Sequence, residues 1–272
     1  MKELDHSSLR GILNADAGGG KFSLSRFESG LELKPFVEHY WVVQYDLNKE
    51  NSYKQTVLSY PNIQLAFEQD ADGRRALLYG IPHQPFVREL RGSGRVLGIK
   101  FRAGGFYPFW KQDISILTGA TISASEIFGL SAYSWTDDIL DAGDDAAMAS
   151  QAEIALAERL PDRDAQAELA AHIVEDVKND RSIIKVEQLS MHSGLSIRQL
   201  QRFFRKYVGV TPKWVIKRFR LQEAAERLEQ DDEDLADLAI ELGYYDQAHF
   251  IKDFKAVIGQ SPAAYRKGMP EY

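Results

Sequence analysis

The sequence predicts an α+β protein, with a small β-barrel or sandwich and flanking helices first and an all-α region last. Three observations predict this class. Apolar and polar residues alternate with a period of two before residue 103, which indicates strands. Apolar residues at helical spacing dominate the second half of the chain, and the last third contains an internal repeat. The all-α region should therefore hold two similar helical units, joined by one long helix.

The bulk composition is typical of a soluble globular protein. The 272 residues are 44% hydrophobic and 27% charged, and this length suits one large domain or two ordinary ones. No apolar run approaches the roughly 18 residues that span a bilayer, and MKELDHSSLRG lacks the basic start and apolar core of a signal peptide. Because the chain has no cysteine, disulfides and thiolate metal sites are excluded. We expect a cytoplasmic protein with no membrane partner.

Short strands with one buried face are predicted between residues 36 and 102. In IQLAFEQ, for example, Leu65 and Phe67 should face the core while Ala66 and Glu68 face away from it. The turn-forming sequences YPN, DADGR, IPHQP and GSG separate the predicted strands. Several short strands at this spacing indicate a small barrel or sandwich.

The sequence of the middle of the chain predicts a segment that connects the β-rich and helical domains. SWTDDILDAGDDA is acidic and rich in turn formers, which is typical of a surface linker. Two helices follow between residues 146 and 178, where Pro161 separates them and the second places Leu169, Ile173, Val174 and Val177 at helical spacing. The predicted division is a β-rich domain at 1–130, an acidic linker with connecting helices at 131–180, and a helical domain at 181–272.

The net charge of −7 hides a strong separation of charge along the chain. Residues 131–180 hold 3 basic and 13 acidic side chains, whereas residues 181–272 hold 15 and 13. Within the latter, residues 196–220 carry eight Lys or Arg and no acid, while residues 221–246 carry ten acids and only Arg227 as a base. The basic segment is either an electrostatic footprint for a polyanion or a solvated helix face.

The internal repeat occupies the last third of the chain. LSMHSG matches LAIELG at an offset of 49 residues, and GVTP matches GQSP at an offset of 50. The second copy therefore has one extra residue in its turn. A repeat of this kind predicts two structurally similar units.

Each copy has the sequence features of a helix-turn-helix motif. Gly194 or Gly243 supplies a left-handed position that ends a first short helix, and Ser196 or Asp246 is an N-cap residue type that begins the second. In this motif the second helix enters the major groove of DNA, where Arg and Lys read guanine and Gln reads adenine. The apolar residues predicted on the buried side of the second helices are Leu200, Phe203, Phe204, Phe250 and Phe254.

One long helix is predicted between the two copies, in TPKWVIKRFRLQEAAERLEQ. Thr211 is its expected N-cap and Pro212 its first residue. Such a helix would hold two reading helices on one side of a duplex, where major-groove sites one turn apart are about 34 Å apart. We expect the phenylalanines of residues 196–220 to be buried and its cations to face DNA, with the acids from Glu223 onward pointing away from the phosphates.

These motifs resemble the DNA-binding domain of the AraC/XylS family of bacterial transcription regulators, over about residues 184–266. ELGYYDQAHFIKDFKAVIGQSPAAYR is similar to the family's C-terminal signature, and LSIRQLQRFFRKYVGVTP matches the first unit. The resemblance implies a sequence-specific DNA-binding transcription regulator whose partner is double-stranded DNA. It also admits a small effector, RNA polymerase and a second copy of the chain as partners.

Carrying the family's contacts over by position implies two sets of DNA-contacting residues. The set assigned to bases is Arg198, Gln201, Arg202, Gln247, Ala248, His249 and Lys252. The set assigned to phosphates is Ser196, Arg205, Lys206 and Lys255. Ala248 can offer only an apolar contact, such as one to a thymine methyl group. His249 either contacts a base, or caps or packs between helices.

The front of the chain resembles the small β-rich sensory domains that precede AraC-type modules. YPNIQLAFEQ and the segment from YGIPHQPF to GGFYPFW carry that resemblance. In the family such a domain binds a small effector, mediates dimerisation, or does both. The aromatic residues that either line an apolar pocket or form the core are Tyr40, Trp41, Tyr60, Phe67, Tyr79, Phe101 and Trp110. His83 and Arg102 are candidates for polar contacts to a ligand.

An enzyme is the least supported function class. The six histidines form no His-x-His pair, so the domain is cupin-like at most, and we predict no metal site and no cofactor. The sequence contains no Gly-x-Ser-x-Gly elbow and no phosphate-binding glycine loop. The alternative to a transcription regulator is a small-molecule-binding sensor whose DNA-binding half is weak or secondary.

Overall fold

A computed structural model describes residues 2–4, 21–47, 52–57, 60–82, 86–230 and 234–267 of the chain. Strands fill most of the front half, where the sequence alternates with a period of two. The strands within these ranges are β1 (Phe22–Phe27), β2 (Val37–Asp46), β3 (Tyr53–Val57), β4 (Gln64–Asp70), β5 (Gly73–Tyr79), β6 (Phe86–Leu90), β7 (Ser93–Phe101) and β8 (Thr121–Ser123).

Helices dominate the chain after residue 103. No helix within the described ranges is long and apolar enough to cross a membrane. The helices are α1 (Tyr107–Trp110), α2 (Ser125–Phe128), α3 (Ser131–Leu140), α4 (Asp145–Ala157), α5 (Ala165–Asn179), α6 (Val186–Ser193), α7 (Ile197–Tyr207), α8 (Pro212–Gln230), α9 (Leu235–Glu241), α10 (Gln247–Ile258) and α11 (Pro262–Arg266), with a 3-10 turn at Ile114–Leu117.

The strands form two antiparallel sheets. The larger has the order β1-β2-β7-β4-β5-β8, and β3 pairs with β6 in the smaller. One face of the larger sheet packs against α3 and α4 around a core that includes Leu65, Phe67 and Leu97. The smaller sheet reaches the opposite face, where Arg88 Nη2 on β6 lies 2.7 Å from Glu68 Oε2 on β4. The predicted α+β class, with a β-rich front half and a helical rear half, is confirmed.

Strand β4 is buried on both faces, and the prediction of a single buried face is wrong for it. Ala66 is 1% exposed and Glu68 2% exposed, and Arg88 of the second sheet reaches Glu68 on this side of the strand. A buried carboxylate is tolerated only when its oxygens accept strong hydrogen bonds. Arg75 Nε donates to Glu68 at 2.9 Å and the Tyr79 hydroxyl at 2.7 Å, in addition to Arg88.

The segment predicted to be a surface linker begins instead with helix α3. Trp135 is 4% exposed and Ile139 fully buried, and both belong to the same core as the large sheet. The acids of the segment turn outward, where Arg74 lies 3.1 Å from Asp137 and 2.5 Å from Asp141. The acidic composition of the segment indicated a linker. Trp135 and Ile139, however, stand at positions i and i+4, which is the spacing of a buried helix face.

The two helices predicted on either side of Pro161 are confirmed as α4 and α5. Helix α5 buries Ile173 and Val177, as expected, but Leu169 is 38% exposed. Asp164 begins α5 as its N-cap, with its carboxylate accepting from the backbone N–H groups of residues 166 and 167. The division of the chain at residues 130 and 180 stays a prediction.

The long helix α8 is confirmed, and it takes part in two separate cores. Val215 and Phe219 pack with α5, α6 and α7, whereas Leu221 and Leu228 pack with α9, α10 and α11. Thr211 caps the helix as predicted, since its Oγ1 accepts from the backbone N–H of residue 214 at 3.2 Å. One helix thus holds both units of the repeat.

Acidification should destabilise the protein through His39. Burial, followed by the nearby Lys100, lowers the pKa of His39 to about 3, whereas an unfolded histidine titrates near 6.5. Below pH 6.5 the unfolded state therefore binds the extra proton, so the free energy of unfolding falls by up to ~1.4 kcal/mol per pH unit. Urea unfolding at pH 7 and pH 5 should show a loss of roughly 2 kcal/mol that His39→Gln removes.

The matched control for this prediction is His172→Gln, because His172 is exposed. That variant should keep the full loss of stability between pH 7 and pH 5. An equal loss in the His39→Gln variant would show that His39 does not cause it.

Candidate nucleic-acid interface

The first unit of the repeat is a helix-turn-helix formed by α6 and α7. Helix α6 ends at Gly194, whose φ of +68° is the left-handed conformation that the sequence predicted. Ser196 caps α7 with a capping box, in which its hydroxyl accepts from the Gln199 backbone N–H at 3.4 Å and donates to the Gln199 side chain at 2.7 Å. Leu200 and Phe204 anchor α7 in the core, both with 0% exposure.

The second unit repeats this arrangement with α9 and α10. Gly243 has a φ of +81°, and the Asp246 carboxylate accepts from the His249 backbone N–H at 2.7 Å. Phe250 and Phe254 are fully buried. The connection between helices spans residues 242–246 here and residues 194–196 in the first unit, which agrees with the longer turn in the second copy.

The side chains assigned to bases all lie on exposed faces of α7 and α10. Arg198, Arg202 and Lys252 form no ion pair with any other residue that the structure describes. Their charged groups therefore face solvent with hydrogen-bond donors available, as contact with a polyanion requires. The exposed residues of this set are Arg198, Gln201, Arg202, Gln247, Ala248, His249 and Lys252.

His249 has contacts within its own unit. Its Nε2 lies 3.6 Å from Asp253 Oδ2, and its ring meets the Tyr244 ring edge to face at 5.2 Å between centroids. Lys217 of α8 shares the same carboxylate at 3.3 Å. The side chain is nevertheless 57% exposed, so this packing leaves the imidazole on the outer surface of α10.

Two of the residues assigned to phosphates contact the β-rich half of the chain. Arg205 Nε lies 3.8 Å from Asp113 Oδ2, and Lys206 Nζ lies 5.2 Å from the centre of the Tyr107 ring. Lys206 is only half-exposed, whereas Arg205, Ser196 and Lys255 are exposed. The cations at the end of α7 thus have intramolecular partners, which no local sequence pattern signals.

Gly209 lies at a close contact between the two halves. The Thr118 hydroxyl donates to the Gly209 carbonyl at 2.8 Å, across 91 residues of sequence. The φ of Gly209 is +97°, and a Cβ atom there would lie 2.8 Å from Ile114 Cγ2. Glycine therefore meets two requirements at this position, a left-handed backbone and close contact.

The prediction that the cations of residues 196–220 face DNA is wrong for Arg218 and Arg220. They are 5% and 2% exposed. Arg220 Nη2 donates to the carbonyls of Val177 and, at 3.2 Å, Asp180, and Arg218 Nη1 donates to the Val257 carbonyl at 3.1 Å. A guanidinium suits these sites because it brings several donors and a positive charge to the carbonyl-rich ends of α5 and α10. Burial lowers the pKa of Arg218 to about 10.

The first acid after the basic segment lies at a helix contact. The Glu223 side chain is 11% exposed and lies 2.5 Å from Arg220 Nη1 and 3.3 Å from Arg181 Nε. Further along α8, the Tyr265 hydroxyl donates to Glu229. These acids therefore join α8 to Arg181, just after α5, and to α11. Part of the charge separation along the sequence thus reflects helix packing.

Most of the residues proposed to line a ligand pocket in the β-rich half are packed in its core or between its strands. Tyr40, Phe67 and Phe101 are at most 1% exposed, so the core alternative describes these three. Trp41 Nε1 donates to the Gln64 side chain at 3.1 Å. Tyr79 binds Glu68, as described above. None of these five residues lines the open cleft described next.

Tyr60 and Arg102 do line an open cleft, between the β-rich half and helices α5 and α8. His83 lies outside the described residues. No group of three or more His, Asp or Glu side chains in the described part of the chain could hold a metal ion.

Two family models match the chain. Residues 189–268 match a helix-turn-helix domain, which extends from within α6 through the second unit. Residues 25–123 match a domain family of unknown function, DUF6597, which extends from within β1 to the end of β8. The two matched segments thus correspond to the helical and β-rich halves of the structure.

Curated relatives match about a third of this chain. They include an HTH-type transcriptional regulator of Haemophilus influenzae, 35% identical over 97 residues, 36% of this chain and 32% of that protein. The transcriptional activator AarP of Providencia stuartii is 37% identical over 83 residues, 30% of this chain and 62% of that protein. The chain therefore spans less than two thirds of the length of these two relatives.

A shorter relative is covered more fully. The probable transcription factor PqrA of Proteus vulgaris is 34% identical over 90 residues, which are 32% of this chain and 74% of that protein. Among solved structures, apo ToxT of Vibrio cholerae aligns over 89% of this chain and all of that one, with 13% identity and a TM-score of 0.41. The match to PqrA, together with the matched helix-turn-helix domain, shows that the chain belongs to the AraC family of transcription regulators.

Proposed function

We propose that this protein is a sequence-specific DNA-binding transcription regulator. The observation that carries the proposal is the pair of helix-turn-helix units on one helix, α8, each with an exposed polar face on its second helix. We assign Arg198, Gln201 and Arg202 on α7, and Gln247, Ala248, His249 and Lys252 on α10, to bases. Arg205, Lys206, Lys255 and Ser196 are assigned to phosphates, although the Ser196 hydroxyl also caps α7.

Selection of bound DNA from a random library by the full chain tests the proposal. We expect enrichment of one asymmetric site with two half-elements about one helical turn apart, since two joined units visit successive major grooves. A single such site indicates binding as a monomer, and a repeated pair indicates a dimer. Absence of any enriched sequence, with the chain folded, would contradict sequence-specific binding.

Arg205→Gln and Lys206→Gln should weaken binding to all DNA sequences alike. Each phosphate contact contributes about 0.9 to the slope of log K against log salt concentration, so each variant should flatten that slope by about one. Fluorescence anisotropy measures this slope on the selected site and on a scrambled site, at salt concentrations between about 50 and 200 mM. Arg163→Gln is the control, because Arg163 is exposed and pairs with Glu168 on α5.

An unchanged slope in both variants would mean that Arg205 and Lys206 keep their contacts with Asp113 and Tyr107 in the DNA complex. A flatter slope would instead support the phosphate assignment, because the cations would then exchange those partners for phosphates.

We further propose that the β-rich half, residues 1–130, modulates DNA binding through a small effector or through dimerisation. The contacts of Arg205, Lys206 and Gly209 with that half support such coupling. The proposal includes a non-enzymatic, cytoplasmic protein that works with RNA polymerase, in keeping with relatives that are named transcriptional regulators. The acidic segment 131–180 and the DNA-binding domain 181–272 complete the proposed division of the chain.

A small-molecule sensor with a weak DNA-binding half is the second candidate function. The open cleft beside Tyr60 and Arg102 favours it. Ligand stabilisation in a thermal-shift screen, without salt-dependent DNA binding, would support this candidate over the first.

A further inference from the structure

The two turns of the repeat differ by one residue, and the extra residue is Tyr245. Between the turn glycine and the N-cap, the first unit has only Leu195, whereas the second unit has Tyr244 and Tyr245. Leu195 packs against the core of the first unit, and Tyr244 packs against the core of the second. These two residues therefore occupy equivalent positions, which leaves Tyr245 without an equivalent in the first unit.

The side chain of Tyr245 takes no part in the packing of the second unit. Tyr245 is 94% exposed, and no hydrogen bond or ring contact joins its side chain to another residue that the structure describes. Its neighbour Tyr244 instead packs on the Phe250 ring, at 5.5 Å between centroids. A single exposed ring is common on protein surfaces, so the position of Tyr245 in the motif decides what it can contact.

Tyr245 lies directly before the N-terminus of the second reading helix. Asp246 is the N-cap of α10 and Gln247 its first residue. When a reading helix enters the major groove, its N-terminal residues approach base edges, and the first helix of the unit crosses the phosphate backbone. The turn between the two helices then lies along the backbone, at the edge of the groove. A side chain that projects from this turn therefore meets phosphate and sugar.

The second reading helix brings little positive charge to the phosphates. Residues 196–207 of the first unit carry four Lys or Arg and no acid, whereas residues 246–258 of the second carry two Lys and two Asp. Residues 246–251, at the beginning of α10, contain no Lys or Arg. A phosphate beside this end of α10 therefore depends on other donors, and the tyrosine hydroxyl is among the groups that bind DNA phosphates.

We propose that Tyr245 binds the DNA backbone beside the second half-element, with its hydroxyl donating to one phosphate oxygen and its ring lying against the adjoining sugar. The inference rests on the proposed DNA-binding function and adds a contact that the first unit does not make. Because the tyrosine is uncharged, this contact releases no counterion from the duplex. It therefore strengthens the binding of the second unit equally at low and at high salt.

Fluorescence anisotropy of the full chain on the library-selected duplex tests the contact. Tyr245→Phe should weaken binding by about tenfold, because a hydrogen bond to a charged acceptor is lost, and Tyr245→Ala should weaken it at least as much. In both variants the slope of log K against log salt concentration should equal that of the parent chain. Arg205→Gln, in contrast, removes a charge and should flatten the slope.

The matched control is Tyr133→Phe, because Tyr133 is 63% exposed and lies on α3 of the connecting segment. It removes the same hydroxyl group from a surface that is not assigned to DNA, and it should bind as the parent chain does. Thermal melting of each variant measures stability, which substitutions at exposed positions change little.

Duplexes with one methylphosphonate locate the phosphate. Each duplex carries this uncharged group in place of a single phosphate, at successive positions across both half-elements. At one position beside the second half-element, the substitution should weaken binding by the parent chain much more than binding by Tyr245→Phe, because the variant has already lost that contact. Positions in the first half-element should affect both proteins alike.

Equal binding by the parent chain and both Tyr245 variants would overturn the contact and leave the proposed function intact. A flatter salt slope or an altered base preference in Tyr245→Phe would also overturn it, as would methylphosphonate coupling in the first half-element alone. A parent chain that selects no DNA sequence would overturn the proposed function, and the contact with it.

Discussion

Arg198→Ala combined with Lys252→Ala is expected to weaken binding to the selected DNA site by about 2–6 kcal/mol. Each side chain projects from the reading helix of a different unit, and a base contact of this type contributes about 1–3 kcal/mol. Because the two units have separate cores, the two losses should be nearly additive. Arg198→Ala should relax sequence preference in one half-element, and Lys252→Ala in the other.

Competition anisotropy with single-base variants of the selected site measures this result. The matched control removes two exposed cations of the small sheet region, through Lys54→Ala with Arg91→Ala. That control should keep both affinity and sequence preference. If the Arg198 and Lys252 double variant binds as well as the parent chain, the assigned contacts are wrong.

Phe250→Ala should destabilise the second unit by about 3–5 kcal/mol, because the change leaves a large cavity in a packed core. Phe250 is fully buried and contacts the rings of Tyr244 and Phe254 at 5.5 and 5.7 Å between centroids. The first unit has its own core around Phe204. The variant should therefore no longer protect the second half-element of the DNA site, while it still binds the first half-element.

Hydrogen exchange measured by mass spectrometry distinguishes the two units. Peptides from α9, α10 and α11 should exchange faster in Phe250→Ala, while peptides from α6 and α7 should change little. Ile240→Ala is the control on α9, since Ile240 is 66% exposed and exposed substitutions cost within about 0.5 kcal/mol. Equal acceleration in both units would mean that α8 couples them into one cooperative core.

The helical half could be predicted closely because its information is local. Gly194 and Gly243, with Ser196 and Asp246 as caps, specify each helix boundary from a few neighbouring residues. Because the two copies match in sequence, the structure predicted for the first unit also applies to the second. Helix α8 follows from Thr211 and Pro212 in the same way.

The errors at Glu68, Arg218 and Arg220 share one physical cause, which is contact between residues far apart in sequence. The burial of Glu68 depends on a second sheet, and the burial of Arg218 and Arg220 depends on the ends of α10 and α5. A charged residue in a basic segment has the same local pattern whether it faces solvent or a helix terminus. The cleft at Tyr60 and Arg102 likewise requires three distant segments to meet.

The two units have turns of unequal length, so they are not equivalent to each other. Residues 194–196 connect the helices of the first unit, and the longer connection 242–246 serves the second. The residues assigned to bases also differ in chemistry, with two arginines on α7 and one lysine and one histidine on α10. A duplex read by such a pair cannot be rotated end for end without exchanging its half-elements. We therefore expect every bound copy to have the same orientation relative to its two half-elements, with its β-rich half nearer the element assigned to α7.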